Sequence, residues 1–209
     1  MLEHIKERIF RVSIEAEKEG LIRHKSGNFS MKDEKTGYIC ITPTGQSRND
    51  LDIDSILVVD IEGNIIENKK SLQPTSEMEM HLVAYKNRKD ILAVCHTHAI
   101  HATAFAVQGK KIPPLVFESS VYGRVVPVAK YYTPGTIELA KSIIEPLRES
   151  DACLLEKHGV VTVGKDIEDA YLKMGYVEDM ARIYLYSLVI GGKEPTPIEE
   201  SEFIKVFGK

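Results

Sequence analysis

Two histidines, His96 and His98, stand two residues apart in the apolar run DILAVCHTHA. Alternation along a strand puts both imidazoles on one face and sends Cys95 and Thr97 to the other. Two imidazoles on one face suit a borderline divalent ion such as zinc. A third can come from His158 in LLEKHGVVTVG, where a buried strand ends in a turn beside Gly159. Glu77 is the fourth candidate. It follows Thr75 and Ser76 at the start of a helix, where the backbone dipole favours the carboxylate over the acid. One carboxylate and three imidazoles complete four-coordination. His81 lies four residues after Glu77, shares its helix face and is a further candidate. His4 and His24 read as surface residues, and His101 as lying past the strand's end. A metallo-β-lactamase pattern needs an aspartate where Ile100 stands, and a TIM-barrel hydrolase needs a longer chain.

Three short loops offer neutral hydrogen-bond donors: Ser26-Gly27-Asn28, Thr42-Pro43-Thr44-Gly45 and Pro74-Thr75-Ser76. The third precedes a helix, whose free N–H groups bind anions. Because Ser76 and Glu77 are adjacent, an anion on the helix start and a metal on Glu77 would lie within one small substrate of each other. Lys25 and Arg48 add positive charge nearby and read as solvated surface residues.

The elements that must hold these groups are legible in outline. Leu2, Ile5, Ile9, Val12 and Ala16 recur at helical spacing, and Gly20 can end that helix. YICIT reads as a strand, and SILVVDI with NIIE as a hairpin around Glu62, Gly63 and Asn64. Ser76 and Glu79 form a capping-box pattern that starts a helix at about Glu77. DILAVCHTHA is a strand and HATAFAVQG a short helix. Thr136 caps another helix, DACLLEKHGVVTVG is a strand pair, and Asp166 opens a long amphipathic helix. Several hairpins imply a mainly antiparallel sheet in a single α/β domain spanning residues 1–209.

Composition sets the bounds. Of 209 residues, 43% are hydrophobic and 28% charged, which is enough apolar material for a packed core without disulfides. The formal net charge is −4 and no basic run occurs, against a nucleic-acid partner. No secretory h-region or membrane-length apolar stretch is present. Cys40, Cys95 and Cys153 each lie in an apolar run and read as buried thiols in a reducing, cytoplasmic setting.

Taken in order, SGNFS, ITPTG, PTSEMEMH, VCHTHAIHATAFAV and EKHGVVTVG resemble the class II aldolase family of fuculose-phosphate aldolase and ribulose-phosphate epimerase, over nearly the whole chain. The resemblance implies an α/β/α sandwich around a mainly antiparallel sheet, and a homotetramer with sites between subunits. It implies one Zn²⁺ on Glu77, His96, His98 and His158. It places a substrate phosphate on Gly27, Asn28, Thr44, Gly45, Thr75 and Ser76. Glu77 would also shuttle the proton. The implied reaction is cleavage of L-fuculose 1-phosphate, or a close deoxy-ketose 1-phosphate, to dihydroxyacetone phosphate and L-lactaldehyde or another small aldehyde. A methylthioribulose-phosphate dehydratase or a pentulose-phosphate epimerase is the alternative on the same fold. A non-catalytic interaction domain has no reason to keep four ligands. Phe117 and Phe207 stand where fuculose-phosphate aldolases carry tyrosines, and Tyr122, Tyr131 and Tyr132 are candidate substitutes.

Overall fold

The computed structural model describes residues 1–207, Phe207 through its backbone alone. Among the described residues eight strands form one sheet: β1 (Asn28–Lys32), β2 (Ile39–Ile41), β3 (Leu57–Val59), β4 (Ile65–Glu67), β5 (Ala93–Thr97), β6 (Val128–Ala129), β7 (Ala152–Leu155) and β8 (Gly159–Gly164). Their spatial order is β4-β3-β2-β1-β5-β8-β7-β6. Every pairing is antiparallel except β6 with β7.

The strands alternate between two cores. Phe29, Cys40, Val58, Cys95 and Leu154 face one core, which is closed by α1 (Glu3–Lys18), α3 (Ile100–Val107) and α6 (Ile167–Gly191). Ile39, Ile41, Leu57, Val59, Val94, Cys153, Leu155 and Val161 face the other. That side is closed by α2 (Met78–Asn87), α4 (Ile137–Ser142) and α5 (Pro146–Glu149). The period-2 pattern of short strands buried on both faces thus yields the expected α/β/α sandwich. A last helix, α7 (Glu200–Phe207), follows the loop after α6. All three cysteines are buried and free. No helix among the described residues is long and apolar enough to cross a membrane.

Thr136 and Asp166 cap α4 and α6 as expected, each accepting from the N–H three residues on. The capping box at α2 does not form. Glu77 occupies the N-cap position without a side-chain cap bond, and the helix begins at Met78. The Glu77 N–H instead donates to Thr75 Oγ1 at 3.3 Å, which leaves the Glu77 carboxylate free to turn toward the sheet.

Gly159 is required by close approach. A Cβ on Gly159 would sit 2.4 Å from Thr97 O, 2.9 Å from His98 Cδ2 and 3.1 Å from His96 Cε1. Gly159→Ala must push backbone against backbone. It is expected to cost about 1–3 kcal/mol of stability, as overpacking does, and to spread the two histidines apart. Urea unfolding and a metal titration on the same variant check both effects.

Candidate metal centre

The sheet order brings distant segments to one end of β5. β8 pairs with β5, Val160 opposite Thr97, so the β7–β8 turn carrying His158 meets the residues that end β5. His98 lies one residue beyond the strand, so its placement comes from the loop rather than from strand alternation. The start of α2 crosses above and supplies Glu77. His96 Nε2 lies 3.1 Å from Glu77 Oε2, His158 Nε2 lies 3.3 Å from Glu77 Oε1, and His98 Nε2 lies 3.2 Å from His96 Nε2. The three imidazoles can each present one nitrogen, all within 4.8 Å of one another.

This donor set fits a divalent ion on chemical grounds. His96 Nδ1 lies 3.0 Å from Val160 O, and a carbonyl only accepts, so Nδ1 carries a hydrogen and, in the neutral imidazole, Nε2 presents a lone pair. That lone pair faces a carboxylate oxygen at hydrogen-bond distance with no hydrogen between them. Glu77 Oε1 and His158 Nδ1 are also buried without a hydrogen-bond partner among the described residues. Such a cluster calls for a cation at its centre. Separations of 3.1–3.3 Å match the edges, roughly 3.3 Å, of a tetrahedron with bonds of about 2.0 Å.

Behind Glu77 runs a buried hydrogen-bond chain. A carboxylate only accepts, so the Asn28 amide nitrogen faces Glu77 and donates to Oε2 at 3.0 Å. Asn28 Oδ1 then accepts from His81 Nε2 at 2.6 Å. His81 Nδ1 must accept from Ser30 Oγ at 2.7 Å, and Ser30 in turn accepts from Tyr85 OH at 2.7 Å. Every donor is fixed by the one before it. Oε2 of Glu77 is thereby held, and Oε1 is the oxygen left unbonded.

His81 therefore serves the site through Asn28 and is turned away from the histidine cluster. His101 is held by Glu178, 2.7 Å from its Nδ1. Lys157 is exposed and lies over the Tyr131 ring. Of the tyrosines weighed for the aldehyde end, Tyr122 is fully buried and Tyr132 packs against the second core, whereas Tyr131 is exposed. Phe117 lies against Phe203 of α7, ring centres 5.3 Å apart. The side chain of Phe207 lies outside the described residues.

The three donor loops sit side by side. Thr42 N–H donates to Phe29 O, and Phe29 N–H to Thr42 Oγ1, joining the start of β1 to the end of β2. Pro43 bridges Pro74, Thr75 N–H donates to Thr42 O, and Thr44 N–H to Gln73 O. Thr44, Gly45 and Ser76 are exposed and Thr75 is buried. The side chain of Asn28 is largely committed to Glu77 and His81, which leaves one amide hydrogen for a ligand. Arg48 departs from the surface reading: it is 2% exposed and bonded to this loop.

The electrostatics suit ligation. Burial pushes His158 down to about 4, so its imidazole is neutral at neutral pH. Burial opposes the charge on Glu77, and the Asn28 amide that donates to Oε2 favours it. Full burial pushes His81 down to about 3 from a usual 6.5. The sign for stability follows: the unfolded chain takes up a proton on His81 near pH 6.5 and the folded chain does not. Its contribution is complete above 6.5 and is lost as pH falls toward 3, with a slope of about 1.4 kcal/mol per pH unit. His81→Gln is expected to flatten the acid limb by about one proton per molecule unfolded, read from denaturant titrations at stepped pH.

The family model described as class II aldolase and adducin N-terminal domain matches residues 7–185. The chain belongs to this family. It is 39% identical over 157 residues to the L-fuculose phosphate aldolase of Methanococcus maripaludis strain C5, covering 75% of this chain and 82% of that protein. It is 31% identical over 183 residues to the 5-deoxy-D-ribulose 1-phosphate aldolase of Bacillus thuringiensis, covering 88% and 85%. A solved L-fuculose 1-phosphate aldolase superposes with a TM-score of 0.90 at 30% identity, over 96% of this chain and 92% of that one. The class II aldolase fold is thus shared with a solved aldolase over nearly its full length, and these relatives support class II aldolase activity for this enzyme.

Proposed function

We propose that this class II aldolase reversibly cleaves L-fuculose 1-phosphate, or a close deoxy-ketose 1-phosphate, to dihydroxyacetone phosphate and L-lactaldehyde or another small aldehyde. One Zn²⁺ per subunit would be held by Glu77, His96, His98 and His158. The observation that carries the reading is the convergence of donor atoms, His96 Nε2 and Glu77 Oε2 at 3.1 Å, beside two further imidazoles.

Zinc bound there would act as a Lewis acid for the negative charge that develops on the ketose oxygens as the carbon–carbon bond breaks. The protein supplies the rest. Gly27, Asn28, Thr44, Gly45, Thr75 and Ser76 bind the phosphate and set the distance from it to the reacting carbons. Breaking the C3–C4 bond leaves its electron pair on the three-carbon fragment as an enediolate. As carbon 4 becomes the aldehyde its hydroxyl gives up a proton, which Glu77 would take up and deliver to carbon 3 of the other fragment. Its Oε1 has no hydrogen bond in the protein, whereas Asn28 holds Oε2, so Oε1 is the oxygen that carries the proton.

The Bacillus relative's named substrate would share the same phosphate-bearing half and differ at the aldehyde end. Phe117 and Phe207 bear on that end, since neither can donate a proton to the aldehyde oxygen. A homotetramer with sites between subunits fits the exposed Leu185, Tyr186, Val189 and Ile190 near the end of α6. The three unpaired thiols fit a cytoplasmic setting.

The test couples dihydroxyacetone phosphate to its NADH-dependent reductase. L-fuculose 1-phosphate cleavage should vanish on chelation and return with zinc. A zinc-loaded protein that leaves this substrate and 5-deoxyribulose 1-phosphate intact overturns the proposal.

A further inference from the structure

Arg48 is a buried cation that the fold alone does not explain. Its guanidinium is 2% exposed and donates through Nη2 to Ser26 O at 2.9 Å and Gly27 O at 2.8 Å. Its Nε is buried with no hydrogen-bond partner among the described residues; the Phe29 ring lies 5.9 Å from Cζ and the Glu17 carboxylate acts on it only through its field, so no carboxylate touches it among them. Burying a cation with no counter-ion in contact is costly, so a charge kept in that state points to an anion that arrives later.

The geometry says where that anion sits. In a trans peptide the C=O and N–H point in opposite directions. With Ser26 C=O turned to Arg48, the Gly27 N–H is presented on the far side of the loop. Gly27 has φ +78°, and a Cβ there would lie 2.4 Å from Ile22 Cγ2, so this backbone path demands glycine. The next residue, Asn28, pairs in register with His96 across β1 and β5. Arg48 thus grips the backbone between a donor loop and the strand that holds the metal cluster. The other donors assigned to the phosphate are neutral, so the dianion has no fixed positive charge of its own among them. A guanidinium in a low-dielectric position acts on an anion across one peptide with little screening.

We propose that Arg48 is a positioning residue for the substrate phosphate, a buried cation whose counter-ion is the phosphate dianion docked on the Gly27 side of the loop. It acts through the Ser26–Gly27 peptide and through its field, without touching the reacting atoms. The inference rests on the sugar-phosphate reading of the site.

The test titrates the zinc-loaded full chain with inorganic phosphate by calorimetry, for wild type, R48K and R48M, and assays the same proteins for cleavage of L-fuculose 1-phosphate. R48M is expected to lose about tenfold or more in phosphate affinity, and R48K less, because it keeps the charge but not the two-carbonyl grip. KM should rise with that loss while kcat changes less and zinc stoichiometry holds. A merely structural role would lower zinc content and kcat together. R48M that binds phosphate as wild type does overturns the proposal. If R48M does not fold, R48K decides, and unchanged phosphate affinity there overturns it equally. Wild-type protein that holds zinc but binds no phosphate overturns the sugar-phosphate reading, and the role of Arg48 with it.

Discussion

His96→Ala is expected to abolish turnover and strip the metal while the sheet survives. His96 is the one fully buried imidazole of the cluster, and His158 and Glu77 are close to buried beside it. Val160 O fixes its tautomer, so its Nε2 lone pair is aimed before any ion arrives. Removing even an outer partner of a metal ligand costs about 10–100-fold in affinity, so losing this ligand should cost more than about a hundredfold. Alanine also leaves a cavity and removes the side-chain hydrogen bond to Val160 O. Together these should cost about 2–4 kcal/mol, within what a domain of this size tolerates. Metal per subunit by elemental analysis, turnover, and a circular dichroism melt check the three parts. Zinc retained at full stoichiometry would remove His96 from the ligand set.

The same cluster shows why part of the site was legible in the sequence and part was not. Histidine spacing, the apolar run before His158 and the helix start at Glu77 are local signals, and they name the four residues that the fold brings together. The hydrogen-bond chain is a different kind of object. Glu77, His81 and Tyr85 are spaced four apart on one helical stripe, and Asn28 and Ser30 two apart on one strand face. Both patterns are visible, but nothing local says that this stripe meets that strand. That follows from the sheet order, in which β1 lies beside β5, and sheet order is a non-local property. Arg48 failed for a related reason: a charged residue in a polar loop reads as solvated, and its burial depends on Ser26 and Gly27 offering two carbonyls from another loop. The capping box failed because the carboxylate that follows Ser76 is drawn to the histidines, so the chain enters α2 one residue later than the pattern suggests.

Glu77→Gln should separate proton transfer from binding. The glutamine is nearly isosteric, and its carbonyl oxygen can still accept from Asn28, so the chain through His81, Ser30 and Tyr85 has no reason to reorganise. The donor loops lie on other segments, except Thr75 and Ser76, and Thr75 is tied through its N–H to Thr42 O and not to the Glu77 side chain. Phosphate affinity is therefore expected to stay near wild type. Proton exchange at carbon is expected to fall by about 10²–10⁴-fold, the usual contribution of a positioned acid–base group. Zinc affinity should drop as well, because an amide oxygen carries no charge to match the ion, so exchange must be measured at saturating zinc. The readout is deuterium incorporation at carbon 3 of dihydroxyacetone phosphate in heavy water, followed by NMR, beside a phosphate titration of the same protein. Exchange at the wild-type rate with zinc bound would take the proton away from Glu77. The base would then have to be sought among groups that can reach the same carbon, where no other buried carboxylate stands among the described residues.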